Sequence, residues 1–140
     1  MLRKASAIWK GNLKNGNGSI KTETGTLNSQ YSFSSRFENG KGTNPEELIG
    51  AAHAGCFSMA LSHALSEDGY EPENVKTIAE VKLIKDDTGF SISKIKLTTK
   101  ATVPNIKKEK FLEYAEGAKE NCPVSKALKA TPITLDAELA

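Results

Sequence analysis

The stretch GTNPEELIGAAHAGCFSMALSHALSEDG, residues 42–69, decides the fold. Asn44 carries a side-chain oxygen suited to capping a helix, Pro45 suits the first helical position, and Glu47 falls at the third. Gly69 is the natural stop. The helix so bounded has about 23 residues and spans roughly 35 Å, which is long for so small a chain. Ala51, Ala52, Ala54, Gly55, Ala60 and Ala64 leave room for other backbone to approach closely. A helix apolar nearly all round is a buried one. It is therefore expected to run through a core, of one chain or of a dimer.

Upstream, Ala5, Ala7 and Trp9 alternate with polar residues as in a half-buried strand, and KNGNGS at 14–19 predicts a turn. A second strand is expected near 19–24 and a third near 30–37, separated by a turn at Gly25, with ENGKG at 38–42 as an open loop. Downstream, 75–85 and 90–103 pair about Asp86-Asp87-Thr88-Gly89. The apolar parity of the second strand switches between Ile92 and Ile95, which predicts a bulge near Ser93-Lys94. A helix over 107–121 places Phe111, Ala115, Ala118 and Cys122 on one stripe. A short helix at 123–130 and a strand with Ile133, Leu135, Ala137 and Leu139 inward complete the chain. Strands grouped in hairpins point to an α+β fold, one domain over 1–140, with antiparallel strands around the long helix.

Composition removes several function classes. With 19 basic and 17 acidic residues, scattered, the net charge is only +2, so no nucleic-acid partner is expected. His53, Ser58, Ser62 and His63 interrupt the most apolar stretch, which argues against a membrane partner. The opening MLRKASAIWK lacks the apolar run of a secretory leader, so a cytoplasmic location is expected. The two cysteines and two histidines show neither CxxC nor HExxH spacing, and no metal is expected. The glycine pairs 16/18 and 40/42 lack the third glycine of a dinucleotide loop, and no cofactor is expected.

The chemistry then rests on the cysteines, Cys56 inside the long helix and Cys122 just before Pro123. In a reducing compartment such a pair suggests a thiol redox cycle more than a structural bridge. If Pro123 opens a helix, Cys122 caps it, where free N–H groups favour a thiolate. At 100° per residue Glu46 lies about 80° from Cys56 while Glu47 points to the opposite side. Glu46 is thus free to face a pocket. A carboxylate alone would disfavour a thiolate, so a cation is needed, and Arg36 at the end of the third strand is the candidate, because a guanidinium can stabilise a thiolate and grip a carboxylate at once. Plainer readings remain open: buried cysteines often act as small hydrophobes, and His53 and His63 suit a core or an interface. Two other functions also remain open, a Cys–His acyl hydrolase using Cys56 with His53 or His63 as base, and a non-catalytic dimeric stress-binding module.

RFENGKGTNPEELIGAAHAGCFSMAL (36–61), together with NCPVSKALKATPITLD (121–136) and the opening AIWKGNLKNGNGSIKTETGTLN (7–28), resembles the OsmC/Ohr family over essentially the whole chain, its OsmC branch in particular. The resemblance implies a thiol-dependent peroxidase that reduces organic hydroperoxides, and less efficiently hydrogen peroxide, to alcohols. It implies an intertwined homodimer, and an external dithiol of lipoyl type as reductant. It matches Cys56 to the peroxidatic cysteine, Cys122 to the resolving one, and Arg36 and Glu46 to the pair that activates the thiol. Leu48, Phe57 and Met59 are the apolar groups expected to carry the substrate's organic tail.

Overall fold

The computed structural model describes residues 1–140, which form two compact units, Met1–Leu48 and Ile49–Ala140. The first unit holds a three-stranded antiparallel sheet of β1 (Ala5–Lys10), β2 (Asn17–Thr22) and β3 (Asn28–Ser32), followed by the short helix α1 (Phe33–Phe37). Gly18 pairs with Trp9 on one side and Tyr31 on the other, and those rings pack tilted with centroids 5.1 Å apart. A Cβ at Gly18 would strike the Ile8 carbonyl and the Tyr31 ring, so glycine is needed for the close approach. The first turn falls a few residues earlier than the NGNG signal suggests. The Gly16 N–H bonds the Asn12 carbonyl at 2.8 Å, Gly11 takes a φ of 89°, and β2 already begins at Asn17.

The third strand does not reach residue 37. Ser32 Oγ accepts from the Ser35 N–H at 3.1 Å, and Ser35 Oγ accepts from the Ser32 N–H at 2.9 Å. That reciprocal cap turns the chain into α1 at Phe33, against the strand alternation. Arg36 is therefore a helical residue.

The helix α2 (Pro45–Glu67) has the expected bounds. Asn44 Oδ1 accepts from the Glu47 N–H at 2.9 Å, and the Glu47 carboxylate accepts from Thr43 Oγ1 at 2.7 Å. The helix is not buried all round. Gly50, His53, Phe57, Leu61 and Leu65 form a buried face at helical spacing, while Ala51, Ala52, Gly55, Met59 and His63 are exposed. α2 is long and apolar enough by composition to cross a bilayer, but its Phe57, Leu61 and Leu65 are packed into the core.

The second unit is built on β4 (Asn74–Asp86), β5 (Gly89–Thr102) and β6 (Ile133–Leu139). The β4–β5 hairpin carries the expected bulge: Lys82 faces Lys94 but Leu83 faces Ile92, leaving Ser93 as the extra residue. β6 lies parallel to β5, from Ile95↔Ile133 to Ala101↔Leu139, so the strands are not all antiparallel. A parallel neighbour needs a long crossover. It is supplied by α3 (Lys108–Asn121) and α4 (Pro123–Ala127), the latter ending earlier than the expected residue 130. The core joins Phe57, Leu61 and Leu65 of α2, Ile95, Leu97 and Ala101 of β5, and Phe111, Ala115 and Ala118 of α3. Each fully buried Leu, Ile or Phe there contributes about 1.5–3 kcal/mol. A chain of hydroxyls, Ser58 to Thr77 at 2.8 Å and Thr77 to Thr99 at 2.9 Å, ties α2 to the sheet beneath it.

Candidate active site

In the first unit Arg36 and Glu46 meet. Arg36 Nη2 donates to Glu46 Oε1 at 2.7 Å, and Arg36 Nε donates to Oε1 at 3.1 Å and Oε2 at 3.3 Å. Such a fork fixes the guanidinium plane as well as its charge. Glu46 is only 8% exposed, while Glu47 is held by Thr43, so the two carboxylates divide as the helical count predicts. α1 presents Arg36, and the cap at Asn44 fixes where Glu46 leaves the helix.

In the second unit the two cysteines are neighbours and unbonded. Cys56 is half-buried on α2 and lines a mostly apolar cleft of about 970 Å³, with Met59, Ala60 and His63 of α2, Tyr114 of α3, and Pro123. Burial pushes the Cys56 thiol above its ordinary value, the Val124 N–H pulls it down, and Cys122 raises it again. Cys122 is fully buried and caps α4 through sulfur, with the Ser125 N–H pointing at Sγ from 3.3 Å. The Tyr114 hydroxyl donates to the Asp68 carboxylate, which fastens α3 to the end of α2 and pushes the phenol up to about 12.

Of the three expected tail-binding residues, Met59 is 76% exposed and lines the cleft, whereas Phe57 is fully buried in the core; Leu48 lies in the first unit. The two histidines differ in their surroundings. His53 is completely buried with Nε2 on Ser125 Oγ at 2.7 Å, and His63 is an exposed cleft residue. No group of three or more His, Cys, Asp and Glu side chains comes together in a form that could hold a metal ion. Ser125, which no motif singled out, bonds both His53 and Cys122. Its only trace in the sequence is the Cys-x-x-Ser spacing, a cap residue and the third position of its helix.

Known proteins resemble this chain in sequence and in fold. The family model described as OsmC-like protein matches residues 38–138. Peroxiredoxin OsmC of Escherichia coli is 53% identical over 138 residues, covering 98% of this chain and 96% of that protein. Organic hydroperoxide resistance protein OhrB of Bacillus subtilis is 35% identical over 115 residues, 80% of this chain and 82% of its own length. The crystal structure of OhrB superposes with a TM-score of 0.69 at 29% identity, covering 98% of each chain.

Proposed function

The chain belongs to the OsmC family, and from that premise we propose how its residues carry out a peroxidase cycle. The protein is a thiol-dependent peroxidase, an oxidoreductase. Its substrates are organic hydroperoxides and, less efficiently, hydrogen peroxide. The observation that carries the reading is a half-buried thiol, Cys56, opening onto an apolar cleft with a second thiol, Cys122, beside it.

The Cys56 thiolate attacks the distal peroxide oxygen; the O–O bond breaks, alcohol leaves with a proton, and Cys56 is left as a sulfenic acid. Because burial raises the Cys56 pKa, the thiolate needs a positive charge to form near neutral pH. We assign that charge to Arg36, held in orientation by Glu46. Cys122 then attacks the Cys56 sulfur, forming a disulfide and releasing water. An external dithiol, of lipoyl type, reduces that disulfide by two exchange steps. The substrate tail lies along the cleft by Met59 and Tyr114 rather than on Phe57, which the core encloses.

We assign the working form as a homodimer. Only 28% of the most apolar window of α2 is buried within one chain, and the exposed face is rich in Ala and Gly. Titration of free thiols before and after one equivalent of cumene hydroperoxide, with intact mass, tests the cycle. Loss of both thiols with a mass lower by two hydrogens is the expected result. Two thiols that stay free after prolonged exposure would sink the scheme.

A further inference from the structure

We infer that His53 and Ser125 form a buried proton relay that takes the proton from Cys122 as it attacks oxidised Cys56, making His53 a positioning and proton-holding residue of the resolving step. The inference rests on the peroxidase cycle above and concerns only its second half.

Three groups, from α2, from α4 and from the cap between α3 and α4, stand within hydrogen-bond reach of one another in series. Cys122 Sγ lies 3.1 Å from Ser125 Oγ, and Ser125 Oγ lies 2.7 Å from His53 Nε2. His53 and Cys122 are completely buried and Ser125 is 3% exposed, so bulk water does not reach the line directly. A thiol that becomes a disulfide must lose its proton, and a nucleophile, a bridge and a base in hydrogen-bond reach are what that transfer needs.

The second observation is the far nitrogen. His53 Nδ1 is buried and has no hydrogen-bond partner. Leaving such a group unsatisfied costs about 1–3 kcal/mol, which an apolar residue at the same place would avoid. A histidine kept there at that cost is poorly explained by packing. With no partner at Nδ1 to accept from, the ring can carry its N–H there, the tautomer that leaves Nε2 free to accept from Ser125. Burial lowers the His53 pKa, so near neutral pH the ring is neutral and ready to accept.

The balance closes without a further reagent. Cys122 S–H passes its proton to Ser125 Oγ while the Ser125 hydroxyl proton moves to His53 Nε2. The Cys122 sulfur forms the bond to the Cys56 sulfur, and the S–O bond breaks. Hydroxide leaves from Cys56, and the proton lent to His53 is given up to make water with it. The Ser125 N–H, 3.3 Å from Cys122 Sγ, steadies the sulfur while it is charged.

The test separates the two halves of the cycle in the full-length protein. Reduced protein is mixed with one equivalent of cumene hydroperoxide, and loss of the Cys56 thiol and gain of disulfide are timed separately by acid quench and intact mass, with dimedone trapping sulfenic acid. His53→Gln keeps a hydrogen-bonding group against Ser125 but takes no proton; Ser125→Ala breaks the line. Each is expected to slow disulfide formation by about 10²-fold, the low end for general-base assistance, and to let the dimedone adduct accumulate. The double variant should be no slower than the slower single one, since the groups act in series. Wild-type protein, which raises no question of folding, should resolve more slowly in D₂O with a curved dependence on deuterium fraction. Disulfide formation at the wild-type rate in both single variants, additive losses in the double, or no solvent isotope effect would each overturn the relay. A wild-type Cys56 that does not react with the hydroperoxide would instead overturn the peroxidase cycle, and the relay with it.

Discussion

The imidazole of His53 sits where solvent does not reach it, and its contribution to stability depends on pH. Burial holds its pKa below the ordinary 6.5, so the folded state binds the proton less readily than the unfolded chain. Its contribution is full above about pH 6.5 and is lost as pH falls through the lower, folded value. The melting temperature of wild-type protein should therefore drop more steeply on acidification from about pH 7 to pH 5 than that of His53→Gln. Calorimetry across that range decides it; parallel profiles would mean that the folded protein holds the ring as readily charged as neutral. Single residues were unevenly legible. The cap at Asn44 and the division between Glu46 and Glu47 follow from helical phase, a local property. Arg36 was matched to the right partner from the wrong element, because two serine side chains override the alternation around them. Ser125 could be read only as the third residue of a capped helix, not as a partner of His53, which is 72 residues away in sequence and is brought to it only by the fold.

Among the elements, α2 depends on how closely it can lie on β4. A Cβ at Gly50 would come within 3.3 Å of the Ala79 carbonyl and 3.5 Å of Val81 Cγ2, and neither the backbone oxygen nor the sheet it belongs to yields easily. Gly50→Val should cost about 1–3 kcal/mol by overpacking, seen as a lower urea midpoint with unchanged slope. An unshifted midpoint would show slack between helix and sheet. The hairpin beneath was legible to within a residue at each end. The apolar parity of β5 breaks around Ser93, and Ser93 is the residue left over in the register. Parity survives in sequence because alternate side chains serve opposite faces. The partner of β6 left no such mark, as Ile133, Leu135, Ala137 and Leu139 alternate equally well beside a parallel or an antiparallel neighbour.

For the whole molecule, the question is what lies over the outer face of α2. An added Cβ at Gly55 meets nothing within 4 Å inside its own chain. In an isolated subunit Gly55→Glu should be harmless, or stabilising by under 1 kcal/mol through better helix propensity. In the proposed homodimer the same change puts a charge into a desolvated interface. Sedimentation of the variant is expected to show monomer where wild type shows dimer; a variant dimer as tight as wild type would place the interface elsewhere. The parallel pairing of β6 with β5 carries a different consequence, one of timing during synthesis. Cys122 rides in the crossover between those two strands, and β6 leaves the ribosome after both cysteines. Until its seven residues pair, α3 and α4 connect to a sheet with one edge still open. A nascent chain thus carries both thiols before it has the frame that sets them side by side, and a strand that contributes no sulfur determines when the pair becomes competent.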